Sequence, residues 1–302
     1  MQRVGSGSII KRFDKTPLPQ RSTDVVCPHF LELKWAYGCP YKCAWCYLQG
    51  TLRLLPTKTK PVIKDYPKIK KHLLTFFEAT NSGSGYPQEL LNTGELSDSL
   101  MWENNGNPFS EFIVNIFETQ TKHKILFLSK SSYIKNLLKL DSERIVPSFT
   151  LNSPMVSRKW EKGAPPLEYR IQAAKSLEEI GYKVRVRIDP IVPIPQWQDE
   201  YRTLIDQIFE SFQPERITLG SLRGLQSTIN NSRDKTWVNF LTEGSNWGRK
   251  VSNSMRKQMY EDLSQYISEV HSYNQIALCK ETKSMWNQLD MDYKKIGCNC
   301  II

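Results

Sequence analysis

Three cysteines, Cys39, Cys43 and Cys46, occupy the run Gly38-Cys39-Pro40-Tyr41-Lys42-Cys43-Ala44-Trp45-Cys46-Tyr47-Leu48. The C-x3-C-x2-C spacing puts three thiolates on one short loop, and soft thiolates are the donors that iron–sulfur clusters take. Three of them hold three corners of a 4Fe–4S cube and leave the fourth iron open. An open iron binds a small molecule and passes it an electron, whereas a closed four-cysteine site only stores or relays one. Two plainer chemistries compete. A structural zinc needs four ligands, and Cys27 or the pair Cys298 and Cys300 would complete such a set. A disulfide framework fits badly with an odd count of seven cysteines and a start, Met1 to Ser8, that lacks the apolar core of a secretory signal.

The elements that must position this loop are short apolar runs alternating with amphipathic stretches. Candidate strands are 31–37, 90–93, 124–128, 148–151, 183–189 and 216–220; candidate helices between them are 68–79, 110–119, 167–180 and 201–212. Strand–helix alternation calls for parallel βαβ units with right-handed crossovers. Six units are too few for a closed eight-stranded barrel, so the expected fold is α/β, a partial (β/α)6 TIM-like barrel. Two further helices, 254–270 and 274–288, would form a C-terminal helical extension. The expected organisation is an N-terminal arm (1–26), the partial barrel (27–224) and a C-terminal loop and helical extension (225–302).

In such barrels chemistry collects at the C-terminal ends of the strands. The first strand ends in the cysteine loop, the second in Asn92-Thr93-Gly94-Glu95-Leu96-Ser97-Asp98-Ser99 and the third in Ser129-Lys130. The fourth ends in Thr150-Leu151-Asn152-Ser153 and the sixth in Ser221-Leu222-Arg223. On the fifth strand, Arg185, Arg187 and Asp189 alternate with Val184, Val186 and Ile188, so the charged set shares one face. The apolar set suits the helix layer, which turns the charges inward. Charges there are costly unless paired or bound to a ligand. Plainer roles stand beside these. Gly94-Glu95 would serve as a simple turn, Ser97 as a helix N-cap with Asp98 on its dipole, and Lys130 as a solvated side chain.

The cysteine loop after its strand, with an aromatic before the last cysteine, resembles the signature of radical S-adenosylmethionine enzymes. The resemblance implies a partial barrel in which the open iron binds the amino and carboxylate groups of S-adenosylmethionine. Reductive cleavage would then release a 5′-deoxyadenosyl radical that abstracts a hydrogen atom. It places Trp45 beside the adenine and a carboxylate at Glu95 on the methionine ammonium. A narrower resemblance covers about residues 27–224. The run from Cys39 to Gln49 is similar to the spore photoproduct lyase branch, as are Trp160-Glu161-Lys162-Gly163-Ala164-Pro165, Arg170-Ile171-Gln172-Ala173-Ala174 and Arg187-Ile188-Asp189-Pro190-Ile191-Val192-Pro193. That branch acts on a thymine dimer in DNA. This chain departs from it twice. Gly94-Glu95-Leu96 contains no cysteine where the lyases carry a hydrogen-donating thiol, which only Cys298 or Cys300 on a tail folded back over the barrel mouth would restore, and Trp45 stands where they usually have Tyr.

The expected enzyme therefore holds its cluster on Cys39, Cys43 and Cys46. Trp45, Glu95, Ser97, Lys130 and Asn152 are the candidate S-adenosylmethionine contacts. Arg185, Arg187 and Arg223 face the substrate, and Glu95, Arg187 and Asp189 are the candidate catalytic groups. Hydrogen abstraction from a pyrimidine-containing substrate in DNA is the expected reaction, leading to thymine lesion repair or, where no donor thiol stands, to rearrangement or modification of a base substituent. The net charge of +10 over 302 residues suits an anionic partner, and aromatics among basic residues (Arg233, Lys235, Trp237, Trp247, Arg249, Lys250) suit base stacking with phosphate contact. A flavodoxin- or ferredoxin-type electron donor, a cytoplasmic location and no membrane association complete the expectation. Two alternatives stay open: the same radical chemistry on a small molecule or peptide, and a zinc-stabilised nucleic-acid-binding module without catalysis.

Overall fold

The computed structural model describes residues 9–13, 18–81, 85–140, 143–295 and 297–302. The start at residues 1–8 lies outside the described residues. One eight-stranded sheet organises the chain: β1 (Ile10–Phe13), β2 (Phe30–Leu33), β3 (Leu90–Asn92), β4 (Lys124–Ser129), β5 (Ile145–Leu151), β6 (Arg185–Ile191), β7 (Ile217–Ser221) and β8 (Ile276–Leu278). Spatial order follows chain order. β1 runs antiparallel to β2, and the other seven strands are parallel throughout.

Helices α1 (Tyr66–Asn81), α2 (Phe109–Phe117), α3 (Pro154–Trp160), α4 (Leu167–Glu179), α5 (Trp197–Ser211), α6 (Asn253–His271) and α7 (Lys283–Gln288) make up the crossovers and the C-terminal layer. α1 turns Ile69, Leu73, Phe76 and Phe77 into the core. Trp35, wholly buried, stacks on Phe109 at 3.9 Å between centroids. Burying an aromatic of this size removes roughly 150–250 Å² from water. On β6, Val186 and Ile188 are fully buried in the same core while Arg187 and Asp189 alternate with them on the opposite face, as the period of two requires.

The six expected strands are present, each within a few residues of its expected bounds, in the partial TIM-like barrel that the alternation calls for. Residues 274–288 differ from expectation. The run expected as one helix divides into β8, the turn at Cys279-Lys280 and the short α7. Ile276, Ala277 and Leu278 extend the sheet by pairing with Ile217, Thr218 and Leu219, a tertiary partnership that overrides local periodicity. A second difference is α3, which starts directly after β5; Ser153 caps it by accepting from the Val156 amide at 3.3 Å, with Pro154 in the first turn. Among the described residues, no helix is long and apolar enough to cross a membrane.

Candidate active site

The cysteine loop leaves the C-terminal end of β2 and is clamped from several directions. Gly38 enters it at φ +82°, with a Cβ position that would lie 2.2 Å from the Lys60 carbonyl oxygen, so only glycine fits. The Cys39 amide donates to Thr59 O (2.9 Å). Lys42 and Cys43 form a two-residue antiparallel ladder with Lys162 and Glu161. The Gln49 side-chain amide donates to the Cys43 and Ala44 carbonyls, both at 2.9 Å. Trp45 is half-buried with its ring tilted 5.9 Å from that of Trp160.

A buried charge network stands behind the loop. Glu161, fully buried, accepts from Lys130 Nζ at 2.8 Å and from Arg170 Nη1 at 2.5 Å. Burial pushes the Glu161 carboxyl up, but Lys130 and Arg170 together outweigh it and hold the group below its ordinary pKa. Asp98 is tied to Ser129 Oγ (2.6 Å) and to the Lys130 amide (2.7 Å), and burial is the main reason its pKa is raised. Burial pushes up all three cluster-loop thiols; the Lys130 charge opposes it at Cys43 and Cys46.

The donor set fits a cluster better than a single ion. Cys39 feels the charges of Cys46 and Cys43, and Cys43 that of Cys46, so the three thiols share one neighbourhood. Among the described residues, no group of three or more His, Cys, Asp or Glu side chains is arranged to hold a metal ion. Three thiolates are the protein donor set of a cube with one open iron, whereas structural zinc would need a fourth ligand.

A second polar group lies on the inward face of β6 and β7. Asp189 receives Arg187 at 3.0 Å and Arg223 at 3.1 Å. Burial pushes the Asp189 carboxyl up, but the two guanidiniums prevail and hold it well below the usual range. Gly220 makes room for the carboxyl, since a Cβ there would fall 2.6 Å from Asp189 Cγ and Oδ1. Glu95 lies within charge range of Arg187, and its main-chain carbonyl accepts from the Tyr47 hydroxyl. Arg187, Asp189 and Arg223 therefore gather as one ion-paired set, with Glu95 near it.

The other expected residues divide. Lys130 stands beside the cysteine loop with its ammonium committed to Glu161. Ser97 donates back to the Thr93 carbonyl (3.4 Å), and residues 99–104 form turns rather than the helix it would cap. Asn152 is fully buried, donating to Pro190 O and accepting from the Tyr201 hydroxyl, both at 2.8 Å. Arg185 is at the opposite end of β6, held by Glu215 at 2.6 Å and by the Asn299 and Ile301 carbonyls. It does not join the set at the strand ends. Glu161, Arg170 and Cys279 have the reverse history. The first two belong to motifs legible in the sequence, without any sign of their pairing, and Cys279 sits in the run expected as a helix.

Of the basic and aromatic residues 233–250, Trp237 is wholly buried, with its indole N–H near Ser232 Oγ and Asp234 O. Trp247 is 45% exposed at the tip of the hairpin joining Glu243–Ser245 to Gly248–Lys250, beside the exposed Arg249.

An open parallel α/β barrel with a three-thiol loop after its first parallel strand defines the radical S-adenosylmethionine class. Residues 30–221 match the family model described as spore photoproduct lyase, and the chain belongs to that family. The spore photoproduct lyase of Bacillus subtilis (strain 168) is 24% identical over 190 residues, covering 58% of this chain and 50% of that protein. The chain thus spans about half the length of the curated relatives it matches. Among solved structures, spore photoproduct lyase complexed with dinucleoside spore photoproduct superposes with a TM-score of 0.66 at 16% identity, over 87% of this chain and 78% of that one. Streptococcus suis SuiB bound to the precursor peptide SuiA gives 0.56 at 16% identity, over 86% and 50%. At these identities the likeness is one of fold.

Proposed function

We propose that this protein is a radical S-adenosylmethionine enzyme that acts on a pyrimidine-containing site in DNA. The observation that carries the reading is the clamped three-thiol loop at the same barrel end as the Arg187, Asp189 and Arg223 set, with Glu95 near it. Cys39, Cys43 and Cys46 would hold a 4Fe–4S cluster, which with S-adenosylmethionine supplies one-electron chemistry that ordinary side chains cannot. The chain's own residues bind, orient and exclude water. Lys130 sets positive charge beside Cys43 and Cys46, and Trp45 offers a half-buried aromatic face. Glu95 offers a carboxylate for an ammonium group. Arg187 and Arg223 present guanidiniums suited to the oxygens of a nucleotide, with Asp189 fixing their direction.

The DNA part rests on the family, whose solved relative carries a dinucleoside photoproduct, and on the +10 charge with Trp247 and Arg249 exposed together. Gly94-Glu95-Leu96 supplies no thiol after β3, whereas Cys300 Sγ lies 3.9 Å from Asn92 at the end of that strand and 4.0 Å from Arg187, so thymine lesion repair stands in the reading beside modification or rearrangement of a base substituent. An oxygen-sensitive centre requires a reducing cytoplasm, and an external flavodoxin- or ferredoxin-type protein would deliver electrons.

The test is anaerobic reconstitution with iron and sulfide, then S-adenosylmethionine and dithionite with or without ultraviolet-irradiated DNA, measuring 5′-deoxyadenosine. Production stimulated by the DNA and lost in Cys43→Ala is the expected result. A colourless protein holding one zinc and releasing no 5′-deoxyadenosine would sink the reading.

A further inference from the structure

The chain around the cysteine loop carries a surface that the site above does not use. Between Glu32 and Asp65 there is no acidic residue and there are six basic ones, Lys34, Lys42, Arg53, Lys58, Lys60 and Lys64. The three thiols sit inside this run. Soon after Cys46 the chain makes a one-turn helix, Leu48–Thr51, and then a string of tight turns. Backbone bonds from Leu55 to Leu52 O (3.0 Å), from Lys58 to Leu55 O (2.9 Å) and from Lys60 to Thr57 O (2.9 Å) fix these turns. Lys58 holds φ +50° within them, a left-handed conformation that a residue with a Cβ seldom takes. The segment then returns to its start, where Thr59 O accepts from the Cys39 amide at 2.9 Å. Residues 51–60 thus form an arch joined to the cysteine loop at both ends.

The arch presents two kinds of surface. Its apex is apolar: Leu54 is 83% exposed and Leu55 38%. Its flanks are cationic, with Arg53, Lys58 and Lys60 all exposed. Lys42, exposed on the cysteine loop itself, stands opposite the exposed Lys162 in their two-residue ladder. Like charges directly opposite each other on a ladder are destabilising, and an anionic neighbour relieves that cost.

Resting on the reading in which Cys39, Cys43 and Cys46 hold a 4Fe–4S cluster, we propose that residues 51–60 are the docking surface for an acidic one-electron donor protein of flavodoxin or ferredoxin type. Place is the first reason. A protein seated on the arch is held against the loop that carries the three thiols. There the donor loses one electron and the cluster gains it, and no bond forms or breaks. Charge is the second: an acidic protein approaching Arg53, Lys58 and Lys60 is steered electrostatically. The leucines are the third, and they separate this partner from DNA. A nucleic-acid backbone offers phosphates and sugars, which give Leu54 and Leu55 nothing to pack on. A protein interface buries an apolar centre inside a polar rim. Electron-transfer encounters are also small, below about 1,200 Å², which suits an arch of this size.

The experiment compares the wild type with Lys58→Glu/Lys60→Glu and with Leu54→Ser. All three side chains are exposed, and circular dichroism checks that the variants fold. Binding of an oxidised bacterial flavodoxin, and separately of a ferredoxin, is measured by calorimetry before and after iron–sulfur reconstitution, at low and high salt. The wild type should bind at least one of the two, more weakly as salt rises. The double variant should bind it about tenfold more weakly or worse, and Leu54→Ser should weaken binding while leaving the salt dependence in place. In reconstituted protein, 5′-deoxyadenosine driven by the reduced donor should fall in parallel. Product driven by dithionite, which is too small to need docking, should match the wild type. A wild type that binds neither protein, or variants that bind and accept electrons as it does, would overturn the docking surface. So would loss of the dithionite-driven product, because the arch would then only hold the loop in shape. A double variant that loses affinity for a DNA oligonucleotide but not for the donor would assign the surface to DNA instead. No 5′-deoxyadenosine from the wild type with either reductant would sink the cluster reading, and the binding comparison would still decide the surface.

Discussion

Glu161→Ala tests whether the loop is held by the charge network behind it. The substitution removes the partner of Arg170, whose side chain is fully buried, and of Lys130, which is 15% exposed. Leaving a buried charge unpaired costs about 3–5 kcal/mol. Arg170 carries most of this, because its other contacts, the Pro165 carbonyl (2.7 Å), the Thr150 carbonyl (3.3 Å) and Ser157 Oγ (3.2 Å), are neutral. Lys130 can turn toward solvent and adds at most about 1 kcal/mol. At about 2–4 °C per kcal/mol for a protein of this size, the melting point should fall by about 6–20 °C. Urea unfolding followed by circular dichroism measures the loss directly. Glu161→Met/Arg170→Met removes both buried charges and should recover most of it. A single-variant loss under about 1 kcal/mol, or a double variant no better than the single, would refute the network as the loop's support.

Asp189 gives an acid-side prediction. Burial raises its pKa, but Arg223 and Arg187 prevail, so its folded value lies below the unfolded one of about 3.9. Its stabilisation is fully present above that pH and is lost as pH falls toward the lowered folded value; Asp189→Asn should flatten the acid limb of a stability–pH curve, and an unchanged limb counts against the pairing. Gly220→Ala forces a methyl against the Asp189 carboxyl and should cost about 1–3 kcal/mol in urea unfolding, less if Asp189→Ala has already removed the carboxyl. Trp247→Ala should weaken single-stranded DNA binding by about 1–3 kcal/mol in fluorescence titrations at fixed salt, without lowering stability. Trp237→Ala should instead destabilise by about 3–5 kcal/mol, and equal effects of the two on binding would refute the division between them.

The strands were legible because their signals are local. Val184, Val186 and Ile188 alternating with Arg185, Arg187 and Asp189 state both the strand and its inward face. Three thiols in eight residues state a metal loop. Local signals do not say how far along a strand a side chain sits: Arg185 and Arg187 share a face, yet one anchors the tail and the other meets Asp189. β8 was hidden because three apolar residues beside a longer helical pattern carry too little periodicity. Glu161 was visible within its motif, but its partners Lys130 and Arg170 come from β4's end and α4, and only folding joins them.

Asn299, whose side chain donates to Ser148 Oγ and Val186 O and whose amide donates to Thr218 Oγ1, gives the fold a meaning in time. A chain emerges from the ribosome N-terminus first, at about 5–20 residues per second. Ser148, Val186 and Thr218, the three positions that grip Asn299, are synthesised well before it. Strands β2 to β7 can therefore associate while the side of the barrel still gapes, with the lumen wet and its guanidiniums exposed. Residues 297–302 thus find their grip only on strands already made, and Asn299 joins β5, β6 and β7 through a single buried side chain and its amide.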